Sequence, residues 1–244
     1  MKKLDKLYEG KAKVIYATID PNLIIQDFKN DATAFNAQKK GQIEDKGKVN
    51  AQISAHLFER LKEASVPNHF VELLSDTSML TKKVEIILIE VVVRNIAAGT
   101  LSERLGYDEG VVLKKPLVEY YYKDDELGDP LINEDHVEEL SICDKETLDK
   151  IKAMALKVNE ILKPYFASVG MKLVDFKLEF GKTNDGELLL ADEISPDTCR
   201  LWDSETNEKL DKDRFRRDLG KVEESYKEVL KRVEGKGYRV PSKE

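Results

Sequence analysis

The sequence predicts an α+β fold in two lobes: a small, mainly antiparallel β lobe over residues 1–89 and a larger α+β lobe over residues 90–244. The first ninety or so residues hold short apolar-rich runs between turn signals, with one helical stretch among them. The remainder combines long apolar stripes at helical spacing with further strand-like runs. At the seam, near residues 85–95, lies a β-branched run that reads as a strand buried on both faces.

Residues 4–8, 14–18 and 23–28 are strand-like, divided by Gly10 and by the turn signal Asp20-Pro21-Asn22. Val49, Ile53, Leu57, Phe58 and Leu61 then repeat every three to four residues, and Val66-Pro67-Asn68 stops the helix. Residues 70–74 and 84–93 return to strand character. Further on, Asp144 is placed to cap a helix, with Glu146 in the first turn where the helix dipole favours a carboxylate. Leu148, Ile151, Met154, Val158, Ile161, Leu162 and Tyr165 form its apolar stripe, and Gly170 sits where a left-handed cap belongs. Two strands, 172–181 and 187–194, flank Asn184-Asp185-Gly186. A last helix is expected over residues 211–233, charged, with a thin stripe through Phe215, Leu219, Val222, Tyr226, Val229 and Leu230.

At about 150 residues per domain, 244 residues make one large domain or two lobes. Hydrophobic residues at 41% and charged residues at 36% exclude a disordered chain. With 40 Lys+Arg against 47 Asp+Glu the net charge is −7, and there is no dense basic tract. Nucleic-acid binding is therefore not expected as the main task. No apolar run nears the roughly 18 residues that cross a bilayer. The N-terminus, Met1-Lys2-Lys3-Leu4-Asp5, lacks the apolar core of a signal peptide. Cys143 and Cys199 cannot build a disulfide framework. A cytoplasmic globular protein is the expectation.

The sharpest chemical signal is Leu173-Val174-Asp175-Phe176-Lys177-Leu178-Glu179-Phe180-Gly181. In a strand, Asp175, Lys177 and Glu179 share one face while Phe176, Leu178 and Phe180 enter the core. Taking Asp185-Gly186 as a two-residue hairpin turn pairs Asn184 with Glu187 and, in the same register, Glu179 with Asp192. Opposed Cβ atoms lie about 4.5–5.5 Å apart, where like charges repel. Lys177 offsets part of this. A divalent cation does so most directly, and carboxylate oxygens are what Mg²⁺ accepts alongside phosphate oxygens. An exposed hairpin with solvated carboxylates fits the same spacing, so both readings stand at this point.

Tyr8-Glu9-Gly10-Lys11-Ala12-Lys13 can cradle phosphate through backbone amides and lysine charge, although an ordinary solvated hairpin has the same composition. Its position on a β lobe ahead of an acidic pair suits the division of labour in two-lobed ATP sites. Glu90 to Thr100 delivers Arg94 to the seam, and Glu193 to Trp202 offers Ser195, Asp197 and Arg200 in one loop. Arginine suits bidentate recognition of phosphate or carboxylate, so two of them beside an acidic pair point to an anionic substrate. Tyr120-Tyr121-Tyr122 reads as a strand end from which Lys123 reaches a phosphate. His56, His69 and His136 have no metal-ligand spacing and read as structural, and Cys199 reads as a packed thiol. No Gly-x-Ser-x-Gly, Cys-x-x-Cys or Gly-x-Gly-x-x-Gly occurs.

These stretches, with Phe28-Lys29-Asn30-Asp31-Ala32-Thr33, Leu74-Ser75-Asp76-Thr77 and Asp192 to Trp202, resemble the SAICAR synthetase (phosphoribosylaminoimidazole-succinocarboxamide synthase) family from Leu7 to about Val233. The resemblance implies the family's two-lobed ATP-binding fold. It also implies an ATP-dependent ligase of purine biosynthesis that joins L-aspartate to the carboxylate of carboxyaminoimidazole ribonucleotide through an acyl phosphate. On that likeness Gly10, Lys11, Ala12 and Lys13 cover the ATP phosphates, Lys123 lies near the nucleotide, and Val84 and Ile86 lie at the adenine. Glu179 and Asp192 hold Mg²⁺; Arg94, Thr100, Ser195, Asp197 and Arg200 bind the ribonucleotide. Lys177 stands beside the reacting group, supported by Asp175. Thr100 replaces a common serine and keeps its hydroxyl; Leu88 replaces a common proline. Ala34-Phe35-Asn36-Ala37 stands where some relatives carry Gly-Asp-Gly, and this loop with Asp45-Lys46-Gly47-Lys48 is where a closing segment and the aspartate site are sought. A homodimer is implied as well. A small-molecule kinase, distinguished by a stable phosphorylated product, and a nucleotide-binding module without turnover are the competing readings.

Overall fold

The computed structural model describes residues 1–34 and 39–235. Strands β1 (Lys6–Glu9), β2 (Lys13–Ala17) and β3 (Leu23–Phe28) form a meander. A short hairpin of β4 (Asp31–Ala34) and β5 (Lys39–Gln42) follows, then α1 (Lys46–Glu63). β6 (Phe70–Ser75) and β7 (Ser78–Lys82) complete a five-stranded antiparallel sheet in the order β1-β2-β3-β7-β6. The chain changes sheet at Lys83-Val84, a few residues ahead of the expected division at residue 89. Residues 35–38, which include most of the anticipated closing loop, lie outside the described residues.

The second sheet starts with β8 (Glu85–Ile96) and, after α2 (Thr100–Leu105), continues with β9 (Val112–Tyr122) and β10 (Leu131–Ile132). Helices α3 (Glu134–Glu139) and α4 (Lys145–Ser168) precede β11 (Met171–Lys182), β12 (Leu188–Ala191) and β13 (Cys199–Asp203). The order is β10-β9-β8-β11-β12, with β13 also on β11. β12 and β13 share one edge of β11: β12 pairs with Glu179 to Lys182, and β13 with Met171 to Phe176. The chain between them must leave the sheet opposite Lys177, whose N–H donates to the Thr198 carbonyl at 2.8 Å. Topology thus opens a gap in the ladder and fills it with the loop carrying Asp192, Asp197 and Thr198.

Helix α4 follows its pattern. The Asp144 side chain accepts from Thr147 N at 2.7 Å, Gly170 has φ +74°, and Leu148, Ile151, Val158 and Leu162 are buried in a core shared by both sheets. Leu162→Ala is expected to lower the unfolding free energy by about 2–5 kcal/mol through the cavity it leaves, measured by urea unfolding.

The helix expected over residues 211–233 is instead two, α5 (Asp213–Arg216) and α6 (Val222–Glu234). Asp218, Gly220 and Lys221 between them have positive φ, which a continuous helix cannot accommodate. β8 is not buried on both faces either: Leu88 is 45% exposed, and Ile86 and Glu90 of the same strand face are half-buried and border a cleft.

Candidate active site

A cleft of about 780 Å³ lies between the two sheets, within the range of small-molecule sites. Its first wall is the β1–β2 turn, closed by Gly10 N donating to the Lys13 carbonyl at 2.9 Å. Gly10, Lys11, Ala12 and Lys13 all line it, as do Val84, Ile86 and Lys123. At the mouth Lys11 pairs with Asp125 at 2.7 Å.

On the floor, Asp175, Lys177 and Glu179 face the cleft while Phe176, Leu178 and Phe180 are buried beneath, as the alternation requires. The expected hairpin register is off by one residue. Thr183 pairs with Glu187 around a three-residue loop, with Gly186 at φ +87° and Glu187 N held by Thr183 Oγ1 at 3.0 Å. Glu179 therefore opposes Ala191, not Asp192. The directly opposed acid is Glu90 of β8. Lys177 relieves that clash by bonding both Glu90, at 3.0 Å, and Glu179. Asp192 reaches the same point by another route: one residue beyond β12 its φ is 60°, and its carboxylate meets Lys177 at 3.3 Å and Lys13. Lys123 contacts Glu179 at 3.1 Å.

Four carboxylates thus meet three lysines, since Glu193 also lies 3.8 Å from Lys13. Burial opposes charge on Lys177, but Glu179, Asp192 and Glu90 outweigh it and raise its pKa well above that of a free lysine. It is therefore held in its charged form. Burial likewise opposes ionisation of Asp192, yet Lys13 and Lys177 hold its pKa below the usual carboxylate range.

The second wall is an arginine pair sharing one carboxylate. Asp175 accepts from Arg94 Nη1 at 2.9 Å and from Arg200 Nη1 at 2.9 Å. Arg94 also donates to Glu119 at 2.6 Å, Tyr121 at 3.0 Å and Thr100 at 3.3 Å. Arg200 holds Asp213 at 2.8 Å. Asp175 therefore supports the arginines, not Lys177 as the resemblance implied. Gly99, with φ +54° and ψ −138°, lies so close that an added Cβ would sit 2.5 Å from Arg200 Nη2. Gly99→Ala is expected to displace Arg200, destabilise the fold by about 1–3 kcal/mol and raise KM for the anionic substrate, read by unfolding and kinetics.

Thr100 and Ser195 do not line the cleft. Thr100 is exposed and accepts from Arg94 Nη2, and Ser195, 1% exposed, bonds Glu193 and accepts from Asp197 N, each at 3.1 Å. Asp197 does line it, held by Lys46 at 2.8 Å and by the Tyr226 hydroxyl. Burial opposes its ionisation, but Lys212 and Lys46 prevail and depress its pKa. Cys199 is a buried thiol with its pKa pushed up by desolvation. His136 closes the capping box of α3, as a structural histidine should, and His56 meets Tyr165 at 2.7 Å. His69 departs from that reading: it borders the cleft, and burial drops its pKa to about 3. Glu90, Glu193, Lys212 and Arg216 are further lining residues to which the sequence assigned no role. For Glu90 a signal existed, since it shares a strand face with Val92 and Arg94.

A glycine-lysine turn over a floor of paired carboxylates and lysines, with arginines alongside, defines a nucleotide-dependent enzyme acting on a small anionic substrate. The model of the SAICAR synthetase family matches residues 6–233, and the chain belongs to that family. The phosphoribosylaminoimidazole-succinocarboxamide synthase of Brevibacillus brevis is 60% identical over 235 residues, 96% of this chain and 98% of that protein. The crystal structure of the Ehrlichia chaffeensis synthase is 49% identical with a TM-score of 0.92, covering 94% of this chain and 98% of that one. A SAICAR synthetase in complex with ADP is 49% identical with a TM-score of 0.91, covering 95% and 99%.

Proposed function

We propose that this chain joins L-aspartate to the carboxylate of carboxyaminoimidazole ribonucleotide at the expense of ATP, giving the succinocarboxamide, ADP and phosphate in purine biosynthesis. Family membership over nearly the whole chain and the ADP complex of a relative support the reading. One observation carries it: Lys177 is clamped among Glu90, Glu179 and Asp192 where the nucleotide wall meets the arginine wall.

A carboxylate is a poor electrophile, so phosphoryl transfer from ATP must precede attack by the aspartate amine. The residues align anions and offset their charge. Gly10, Lys11, Ala12 and Lys13 hold the phosphates, Lys123 flanks them, and Val84 and Ile86 give the adenine an apolar seat. Arg94 and Arg200 meet the ribonucleotide, with Asp197 beside them; Thr100 and Ser195 hold these groups in place. Lys177 offsets the charge that moves between phosphate and carboxylate.

We assign Mg²⁺ to Glu179 and Asp192. Both touch Lys177, so their oxygens converge, and hard carboxylate donors suit the ion. Among the described residues no group of three His, Cys, Asp or Glu side chains is placed to hold a metal, so an ion on Glu179 and Asp192 would need further oxygen donors from outside the chain. When bound, the ion neutralises polyphosphate charge. The two sheets, meeting at Lys83-Val84, serve as two lobes about this cleft. We further propose a cytoplasmic homodimer; among the described residues no helix is long and apolar enough to cross a membrane.

The test is ADP release with each substrate omitted in turn. Turnover is expected only with ribonucleotide, L-aspartate and Mg²⁺ together. Full turnover without aspartate would remove the ligase reading.

A further inference from the structure

Asp192 follows β12 with φ 60°, a left-handed backbone that disfavours most L residues and that Asp adopts where hydrogen bonds support it. The β11–β12 ladder ends one residue earlier, at Glu179 and Ala191. The neighbouring support comes from the other sheet. His69 N–H donates to the Leu190 carbonyl at 2.9 Å, and the His69 carbonyl accepts from Lys82 N at 2.7 Å. Leu190 N returns a bond to Pro67 O at 3.1 Å. Residue 69 thus ties β7 of one sheet to β12 of the other, two residues before Asp192 begins to turn.

Its side chain continues the tie. The imidazole is 1% exposed, lies edge-on to Phe58 with ring centroids 5.1 Å apart, and hydrogen-bonds the Asp192 backbone in the sense that favours a ring proton. Nε2 is buried with no hydrogen-bond partner among the described residues, which leaves Nδ1–H as donor and the Asp192 carbonyl as acceptor. Packing on Phe58 alone would be met as well by leucine, without desolvating an imidazole. The bond to Asp192 is what the buried ring provides.

We propose that His69 is a positioning residue: its Nδ1–H bond to the Asp192 carbonyl holds the left-handed turn that presents the Asp192 carboxylate to a bound divalent cation. It touches neither substrate nor cation. The inference rests on the metal role proposed above for Asp192.

Calorimetric titration of ADP with and without Mg²⁺ tests it on the full chain, His69→Gln, His69→Leu and Asp192→Asn. Losing a group that orients a ligand lowers metal affinity about 10–100-fold, so His69→Leu should need at least about ten times more Mg²⁺ with unchanged metal-free ADP affinity. His69→Gln restores an N–H donor and should stay close to the parent protein. His69→Leu with unaltered Mg²⁺ dependence, or His69→Gln as impaired as His69→Leu, overturns the proposal. Should His69→Leu not fold, imidazole nitrogen shifts of the unmodified protein decide: protonation at Nδ1 upholds it and protonation at Nε2 overturns it. Asp192→Asn separates the two levels. Unchanged Mg²⁺ dependence there removes the metal role itself, whereas its loss beside an unaffected His69→Leu removes only the part given to His69.

Discussion

Glu179→Gln is expected to lower kcat by about 10²–10³-fold, the scale of removing one preorganised charge-stabilising group, while the protein still folds. Asp192→Asn should behave alike. Glu179 is 4% exposed and shares Lys177 with Glu90 and Asp192. A repelling acid pair would become more stable when one charge is removed. The lysines change that sign. Lys177 and Lys123 already compensate Glu179 in the metal-free protein, so its loss leaves buried ammonium groups short of a partner. The unfolding free energy should fall by about 1–3 kcal/mol, the worth of hydrogen bonds to charged groups, with activity falling far more. Steady-state kinetics against Mg²⁺ and urea unfolding check both halves. Near-native rates would end the metal assignment; a more stable variant would show that the lysines do not offset the carboxylates.

How far the site was legible follows from where its information lies. β11 was readable because alternation is local: Asp175, Lys177 and Glu179 separate from Phe176, Leu178 and Phe180 on the pattern alone. The opposed acidic pair was foreseen in kind but with the wrong partner. Asp185-Gly186 suits a two-residue turn, yet the Thr183 hydroxyl accepts from Glu187 N and widens the loop by one residue. Asp192 still reaches Lys177 because a left-handed residue after the strand reverses its aim. The pairing of Glu90 with Glu179 joins strands some ninety residues apart, and no local pattern encodes it. β9 was mostly hidden, since Lys114-Lys115-Pro116 interrupts its apolar run. Lys212 and Arg216 fall within the stretch expected as one continuous helix, whereas positive φ at Asp218, Gly220 and Lys221 ends the first helix early, and both residues line the cleft.

Asp175→Asn is expected to cost about 3–5 kcal/mol of unfolding free energy, the usual consequence of removing one partner from a buried ion pair. Here one carboxylate answers two guanidinium groups. Asp175 is 4% exposed and takes Arg94 and Arg200 at 2.9 Å each, with 3% of the Arg94 residue exposed. Both 2.9 Å bonds end on one oxygen, Oδ2, which an amide oxygen of the same shape can replace, but its NH₂ then faces Arg200 Nη1 where Oδ1 accepted at 3.2 Å, and both arginines lose the counter-charge. Glu119 and Asp213 remain on the far sides of Arg94 and Arg200, which holds the loss toward the lower end. With its shared anchor gone, Arg200 should shift within the cleft and KM for the ribonucleotide should rise more than kcat falls. Arg94→Lys should share the kinetic effect, because an ammonium cannot span Asp175, Glu119 and Tyr121 at once. A stability change below about 1 kcal/mol in Asp175→Asn is what an exposed ion pair gives, and would mean that water already screens this wall. The arginines would then be free to move with substrate, and the rigid second wall inferred from their hydrogen bonds would have to be abandoned.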